Sequence, residues 1–178
     1  MLRRPRRPRN RRPRRRSQRG RHSCAEAPNA ILSTTSEVLD DRLAFERFAR
    51  AFARSLRAGD VVALSGPLGA GKTTFARSVV AELHGSDDAV SSPTFVFRQR
   101  YDPPRNGAPP VEHVDLYRIE DPAAELPDLA LDEAFAPDRI ALVEWPDRAP
   151  GWLPPDRIDV AIDGAGDGPR TVRVHRPA

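Results

Sequence analysis

Residues 61–74 read VVALSGPLGAGKTT; the first half of that stretch asks for a strand and the second for an anion. Val61–Leu64 is an apolar run bounded by glycine on either side, as expected of a strand buried on both faces. Gly66–Thr73 then satisfies G-x-x-x-x-G-K-[ST]. In that spacing glycines let the backbone wrap so that successive N–H groups converge on phosphate oxygens. The helix that opens at the loop adds its unpaired amides and the positive end of its dipole. Leu68, Gly69, Ala70, Gly71, Lys72, Thr73 and Thr74 are therefore the expected nucleotide-binding residues. Lys72 would reach the β- and γ-phosphates, and the Thr73 hydroxyl would ligate Mg²⁺. An accidental match arises on the order of once in several thousand sequences of this length and composition. Lys72–Leu83 reads as the helix that follows, with Phe75, Val79 and Leu83 on one side and Gly85 as its stop.

Lysine usage strengthens this reading. Of 29 basic residues among 178, Lys72 is the one lysine and the rest are arginine. It survives where a compact ammonium at fixed reach is needed and a planar guanidinium would not fit. The same scarcity removes the Asn/Thr-Lys-x-Asp signature of guanine recognition, which leaves ATP with Mg²⁺ as the expected ligand. Net charge is +4, but twelve arginines and no acid fall in residues 1–21. The other 17 basic residues face 25 acidic ones, so the body is acidic and argues against a large nucleic-acid face on the folded domain. Residues 1–29 are rich in Arg and Pro and poor in apolar side chains, and read as a disordered extension ahead of a domain at 30–178. That extension fits an RNA-contacting arm, a targeting peptide or a segment with no specific role. No run of eighteen apolar residues exists, no apolar segment follows the basic start, and Cys24 is the single cysteine. A cytoplasmic, reduced protein with no membrane span is expected.

Working outward, Ala30–Leu32 resembles a short strand. Thr34 and Glu37 match a capping box ahead of a helix with apolar spacing at Val38, Phe45, Phe48, Phe52 and Leu56, closed by a turn at Gly59–Asp60. Strands are expected at Thr94–Tyr101, Val111–Leu116 and Ile140–Glu144, with a turn-rich link at Pro103–Pro110 and a helical stretch over Asp121–Phe135 broken at Pro127. Arg157–Ile162 and Thr171–His175 alternate around a Gly/Asp/Pro turn and suggest a terminal hairpin. The predicted fold is α/β: a three-layer P-loop NTPase fold with a largely parallel central sheet and a C-terminal β-hairpin.

Two acids end strands, the first apolar-leaning and the second apolar. Asp115 closes Val111–Val114, and in this fold lies beside the phosphate loop, where it would hold Mg²⁺ directly or through water; it also suits a strand-end turn. Glu144 closes Ile140–Val143 and could ligate Mg²⁺, orient the attacking water, or sit solvated at the strand end. Thr94, in Ser91–Phe95, occupies the place of a switch that senses the γ-phosphate, though the segment is also an ordinary turn. His113 shares a sheet face with Asp115 and reads as structural. Trp145 fits stacking on a base or simple packing.

Taken in order, GPLGAGKTT (66–74), SPTF (92–95), HVDLYR (113–118), Asp121-Pro122 with Glu125-Leu126, and EWP (144–146) resemble the TsaE (YjeE) ATPases over about residues 30–162. The resemblance implies an ATPase that binds a TsaB–TsaD pair and resets it between turnovers. That pair forms threonylcarbamoyladenosine beside the anticodon of tRNA, so contact with tRNA would be indirect, with the basic tail as a candidate arm. By position, Lys72 and the loop amides would hold phosphates, Thr73 would bind Mg²⁺, and Glu144 would be the acid at the metal and catalytic water. Asp115 would be the strand-end acid and Thr94 the switch threonine. Pro127 and Ala130 depart from the more helical, Gly-containing stretch of the family pattern, and the Arg/Pro tail has no counterpart in it. Two rivals remain: a small-molecule kinase, for which Arg98, Arg100 and Arg105 could form a lid, and an RNA-binding module driven by the tail.

Overall fold

In the computed structural model, which describes residues 33–85, 97–102, 107–166 and 168–177, the apolar run forms β2 (Val61–Ser65) at the middle of a seven-stranded sheet. The other strands are β1 (Ser33–Leu39), β3 (Arg98–Tyr101), β4 (Val111–Asp115), β5 (Ile140–Glu144), β6 (Ile158–Asp163) and β7 (Arg170–Arg176). Their spatial order is β1-β7-β6-β2-β5-β4-β3. The central four, β6, β2, β5 and β4, run parallel. Antiparallel β7 and β1 extend one side and β3 the other, with β6–β7 as the expected hairpin.

Alternation along β2 divides the core. Val62 and Leu64 join a cluster with α1 (Arg42–Ala53) and α2 (Lys72–His84) on one face. Val61 and Ala63 join a second cluster on the other face, under α3 (Pro122–Glu125), a 3₁₀ turn at Leu126–Leu129 and α4 (Leu131–Ala134). This is the three-layer arrangement the pattern implied. The first layer is aromatic: Phe75 of α2 is fully buried, with ring centroids of Phe45, Phe52 and Phe48 at 5.8, 5.4 and 6.4 Å. Such pairs add about 0.5–1.5 kcal/mol each beyond their burial. They clamp the helix that carries the phosphate loop onto the sheet.

The N-terminal edge corrects the sequence expectation. Thr34 and Glu37 do not cap a helix; they lie inside β1, which pairs along seven residues with β7 from Ser33–Arg176 to Leu39–Arg170. Val38 is outside the helical stripe and 64% exposed. A ladder of backbone bonds to a strand far along the chain outweighs a local capping pattern worth about 1 kcal/mol. The true cap is Asp41, whose side chain accepts from the Ala44 amide at 2.7 Å, and α1 buries Phe45, Ala49, Phe52 and Ala53. The expected strand at Ala30–Leu32, the tail 1–29 and the start of the Thr94–Tyr101 strand lie outside the described residues.

Between β4 and β5 the chain breaks at Pro127 as expected, and Ala130 takes φ +47°. Its carbonyl accepts from Arg98 Nη1 at 3.0 Å, which holds the turn. A left-handed alanine costs about 1–2 kcal/mol, and the greater unfolded freedom of glycine offsets about 0.4–1 kcal/mol of any relief. Ala130→Gly is therefore expected to raise the unfolding free energy by up to about 1 kcal/mol, or roughly 2–4 °C in Tm. Thermal unfolding checks this, and a lower Tm would refute it.

Candidate functional site

The loop between β2 and α2 opens at the C-terminal end of the parallel strands, where ligands of open α/β sheets sit. A cleft of about 360 Å³ there is lined by Leu68, Gly69, Gly71, Lys72, Thr73 and Thr74, with Asp115 and Glu144 on its floor. Ala70 faces inward and is fully buried. Two glycines are imposed by the protein itself. A Cβ on Gly66 would stand 2.2 Å from the Ile162 carbonyl oxygen, and one on Gly71, at φ +104°, would press on Phe45 at 3.3 Å. Gly71 is also the N-cap of α2 and offers no side chain, so the first amides of α2 have neither an intrahelical partner nor a side-chain cap.

Lys72 is 5% exposed. Its ammonium donates to the carbonyls of Gly66 (2.8 Å) and Pro67 (2.9 Å) and lies 3.6 Å from the centroid of the Trp145 ring. Burial pushes its pKa below the ordinary lysine value, opposed by the carboxylates of Glu144, Asp115 and Asp147. Trp145 follows β5 at φ +59° and packs on Tyr117 at 4.9 Å, so it is the wall against which the lysine rests.

The two strand-end acids are brought together. Asp115 and Glu144 stand opposite each other in the β4–β5 register, on the sheet face under α2. Glu144 is 2% exposed; its Oε2 accepts from the Thr73 hydroxyl at 3.0 Å and its Oε1 meets His113 Nε2 at 2.8 Å. Asp115 is almost as buried and accepts from the Tyr117 amide at 3.0 Å. Glu144 is thus the acid joined to the loop hydroxyl and is no solvated strand end. Thr94 and the Ser91–Phe95 segment lie outside the described residues.

The arginines considered for a lid serve another face. Arg98 reaches buried Glu112 at 3.0 Å and the carbonyls of Leu129 and Ala130; Arg139 meets the same carboxylate at 3.2 Å, and Arg100 bonds Asp102 at 2.8 Å. Glu112 points away from the face of His113 and Asp115, so these charges neutralise a buried acid and do not cover the cleft. Arg105 lies outside the described residues.

Arg170 escaped the sequence reading. Its Nε donates to the Ala70 carbonyl at 2.9 Å, and its other nitrogens donate to Gly168 (3.2 Å) and Gly166. It ties the hairpin turn to the phosphate loop and lies 5.3 Å over Phe45. The signal was available: Arg170 falls in the buried register of β7 with Val172 and Val174. An arginine in an apolar register needs carbonyl acceptors. Arg170→Ala is expected to lower the unfolding free energy by about 2–3 kcal/mol, seen as a fall of roughly 4–12 °C in Tm. Arg170→Lys should recover only part of it, since an ammonium cannot span the three acceptors. An unchanged Tm in the alanine variant would show that the tie is idle.

A glycine loop between a buried parallel strand and an uncapped helix, a buried lysine, and a hydroxyl joined to a strand-end acid define a P-loop NTPase fold. The profile of the family described as "Threonylcarbamoyl adenosine biosynthesis protein TsaE" matches residues 39–172. A Bacillus subtilis (strain 168) protein named tRNA threonylcarbamoyladenosine biosynthesis protein TsaE is 40% identical over 133 residues, 75% of this chain and 78% of that one. A Streptomyces coelicolor protein of the same name is 45% identical over 125 residues, 70% and 82% of the two chains. The crystal structure of YdiB from Bacillus subtilis matches with a TM-score of 0.68 at 29% identity, covering 83% of this chain and 88% of that one. The chain belongs to the TsaE family.

Proposed function

We propose that this protein is a cytoplasmic ATPase of tRNA threonylcarbamoyladenosine biosynthesis, binding ATP with Mg²⁺ in the cleft and acting on a TsaB–TsaD pair. The observation that carries the reading is the hydrogen bond between Thr73 and Glu144, residues 71 apart in sequence, beside the Lys72 ammonium. A buried cation, uncapped helix amides and a hydroxyl–carboxylate pair form a donor set that suits phosphate oxygens and a hard cation together.

The loop amides from Gly69 to Thr74 would bind the β-phosphate, and Lys72 would leave its loop carbonyls or share its protons with the terminal phosphates. Thr73 and Glu144 would hold Mg²⁺, with Asp115 alongside. The bound ion would supply charge neutralisation on the phosphate oxygens. Glu144 keeps one free lone pair on each oxygen while bonded to Thr73 and His113, so it can also orient a water or take up its proton. Trp145 and Tyr117 wall the cleft and limit solvent around Lys72. Among the described residues no helix is long and apolar enough to cross a membrane.

The test is co-purification with TsaB–TsaD with and without ATP, combined with ATP turnover. Nucleotide-dependent association and slow phosphate release support the reading. Strong turnover that depends on a small-molecule acceptor would overturn it in favour of a kinase.

A further inference from the structure

His113 is a fully buried imidazole in β4, on the face of the sheet that Val111 and Leu142 make apolar. An aliphatic side chain would pack there without any polar cost. Instead the ring brings two nitrogens, and only one is used. Nε2 lies 2.8 Å from Glu144 Oε1, whereas Nδ1 is buried with no hydrogen-bond partner. The carboxylate oxygen can only accept, so Nε2 is assigned as the donor of this bond, while Nδ1 meets no partner in the core. The single polar gain from placing histidine here is that one bond.

The bond fixes the acid that matters most. With Oε1 held by His113 and Oε2 by Thr73, the Glu144 carboxylate is fixed at both oxygens. Without the imidazole, Oε1 would lose its buried donor and the carboxylate could rotate about its last bond. We propose that His113 is a positioning residue: it acts through Glu144 to present the carboxylate edge shared with Thr73 to the divalent cation. The inference rests on the MgATP reading of the cleft and adds a role for a residue outside it. It does not touch the nucleotide.

Outer-shell partners of metal-binding groups commonly contribute 10–100-fold to metal affinity, so the effect is measurable without turnover. Full-length wild type and His113→Leu are saturated with ADP, and Mn²⁺ is titrated as the probe, with free ion read by electron paramagnetic resonance. ADP affinity in EDTA is measured in parallel. His113→Leu is expected to raise the Mn²⁺ Kd by about 10–100-fold while metal-free ADP binding stays within roughly threefold, because Lys72 and the loop amides are untouched. His113→Gln, whose amide nitrogen can stand where Nε2 stands, should restore most of the Mn²⁺ affinity. Should the leucine variant fail to fold, His113→Met, flexible and without a donor, carries the same expectation. A donor-less variant that binds Mn²⁺ as wild type does would overturn the proposal, as would a glutamine variant no better than leucine. If wild-type protein with ADP holds Mn²⁺ no more tightly than ADP alone, the metal reading of the cleft fails and this inference falls with it.

Discussion

Lys72→Ala should abolish useful nucleotide binding, raising the Kd for ADP or ATP by roughly 30-fold to several-thousand-fold, the 2–5 kcal/mol typical of removing one partner from a buried charge pair. The size follows from the setting. The ammonium is already desolvated, so its attraction for phosphate is weakly screened. Burial disfavours the charged form until an anion arrives, and the nearby carboxylates sustain it meanwhile. No second lysine exists anywhere in the chain to substitute for it. Lys72→Arg should not rescue binding, because a planar guanidinium does not fit between Gly66, Pro67 and the Trp145 ring. Calorimetric titration with ADP measures the change, and a thermal melt confirms that the variant is folded. A folded Lys72→Ala with a Kd within threefold of wild type would remove the lysine from the site.

Glu144→Ala should separate binding from chemistry. Nucleotide affinity is expected to fall by less than about tenfold, since the loop amides and Lys72 remain. The hydrolysis rate should drop by roughly 10²–10⁴, the range for losing a positioned acid–base group. Alanine also strands the Thr73 hydroxyl and His113 Nε2 without their acceptor. Glu144→Gln keeps the shape and one oxygen, so it shows how much of the loss belongs to the missing charge. Phosphate release at saturating ATP is the readout. Undiminished hydrolysis in both the Lys72 and the Glu144 variants would place the chemistry elsewhere.

Where the candidate site was legible in sequence, the physics was short-range. A phosphate loop is a continuous segment whose glycines, lysine and hydroxyl act through adjacent backbone, so their spacing carries the chemistry. Strand β5 was visible as an apolar run and β4 leaned apolar through Val111 and Val114, and their ends marked Asp115 and Glu144. The break at Pro127 was visible for the same local reason. The N-terminal edge was misread because Thr34 and Glu37 satisfy a local helix signature, while the bonds that decide for β1 come from β7.

What the sequence left undecided in the site are the contacts between residues far apart along the chain. Arg170 binds Ala70 across 100 positions. His113 meets Glu144 across 31. Away from the cleft, the buried Glu112 likewise collects Arg98 and Arg139 from separate parts of the chain. The sequence by itself determined that this protein has a P-loop motif after a buried strand, two acids at strand ends, and the ordered motifs of the TsaE pattern. Only the tertiary structure decided that Glu144 is the acid joined to Thr73, that His113 stands behind it, and that Gly66 is glycine because β6 leaves no room for a Cβ. The reason is register. Which side chains meet across a sheet depends on how strands align, and that alignment is a property of the whole fold.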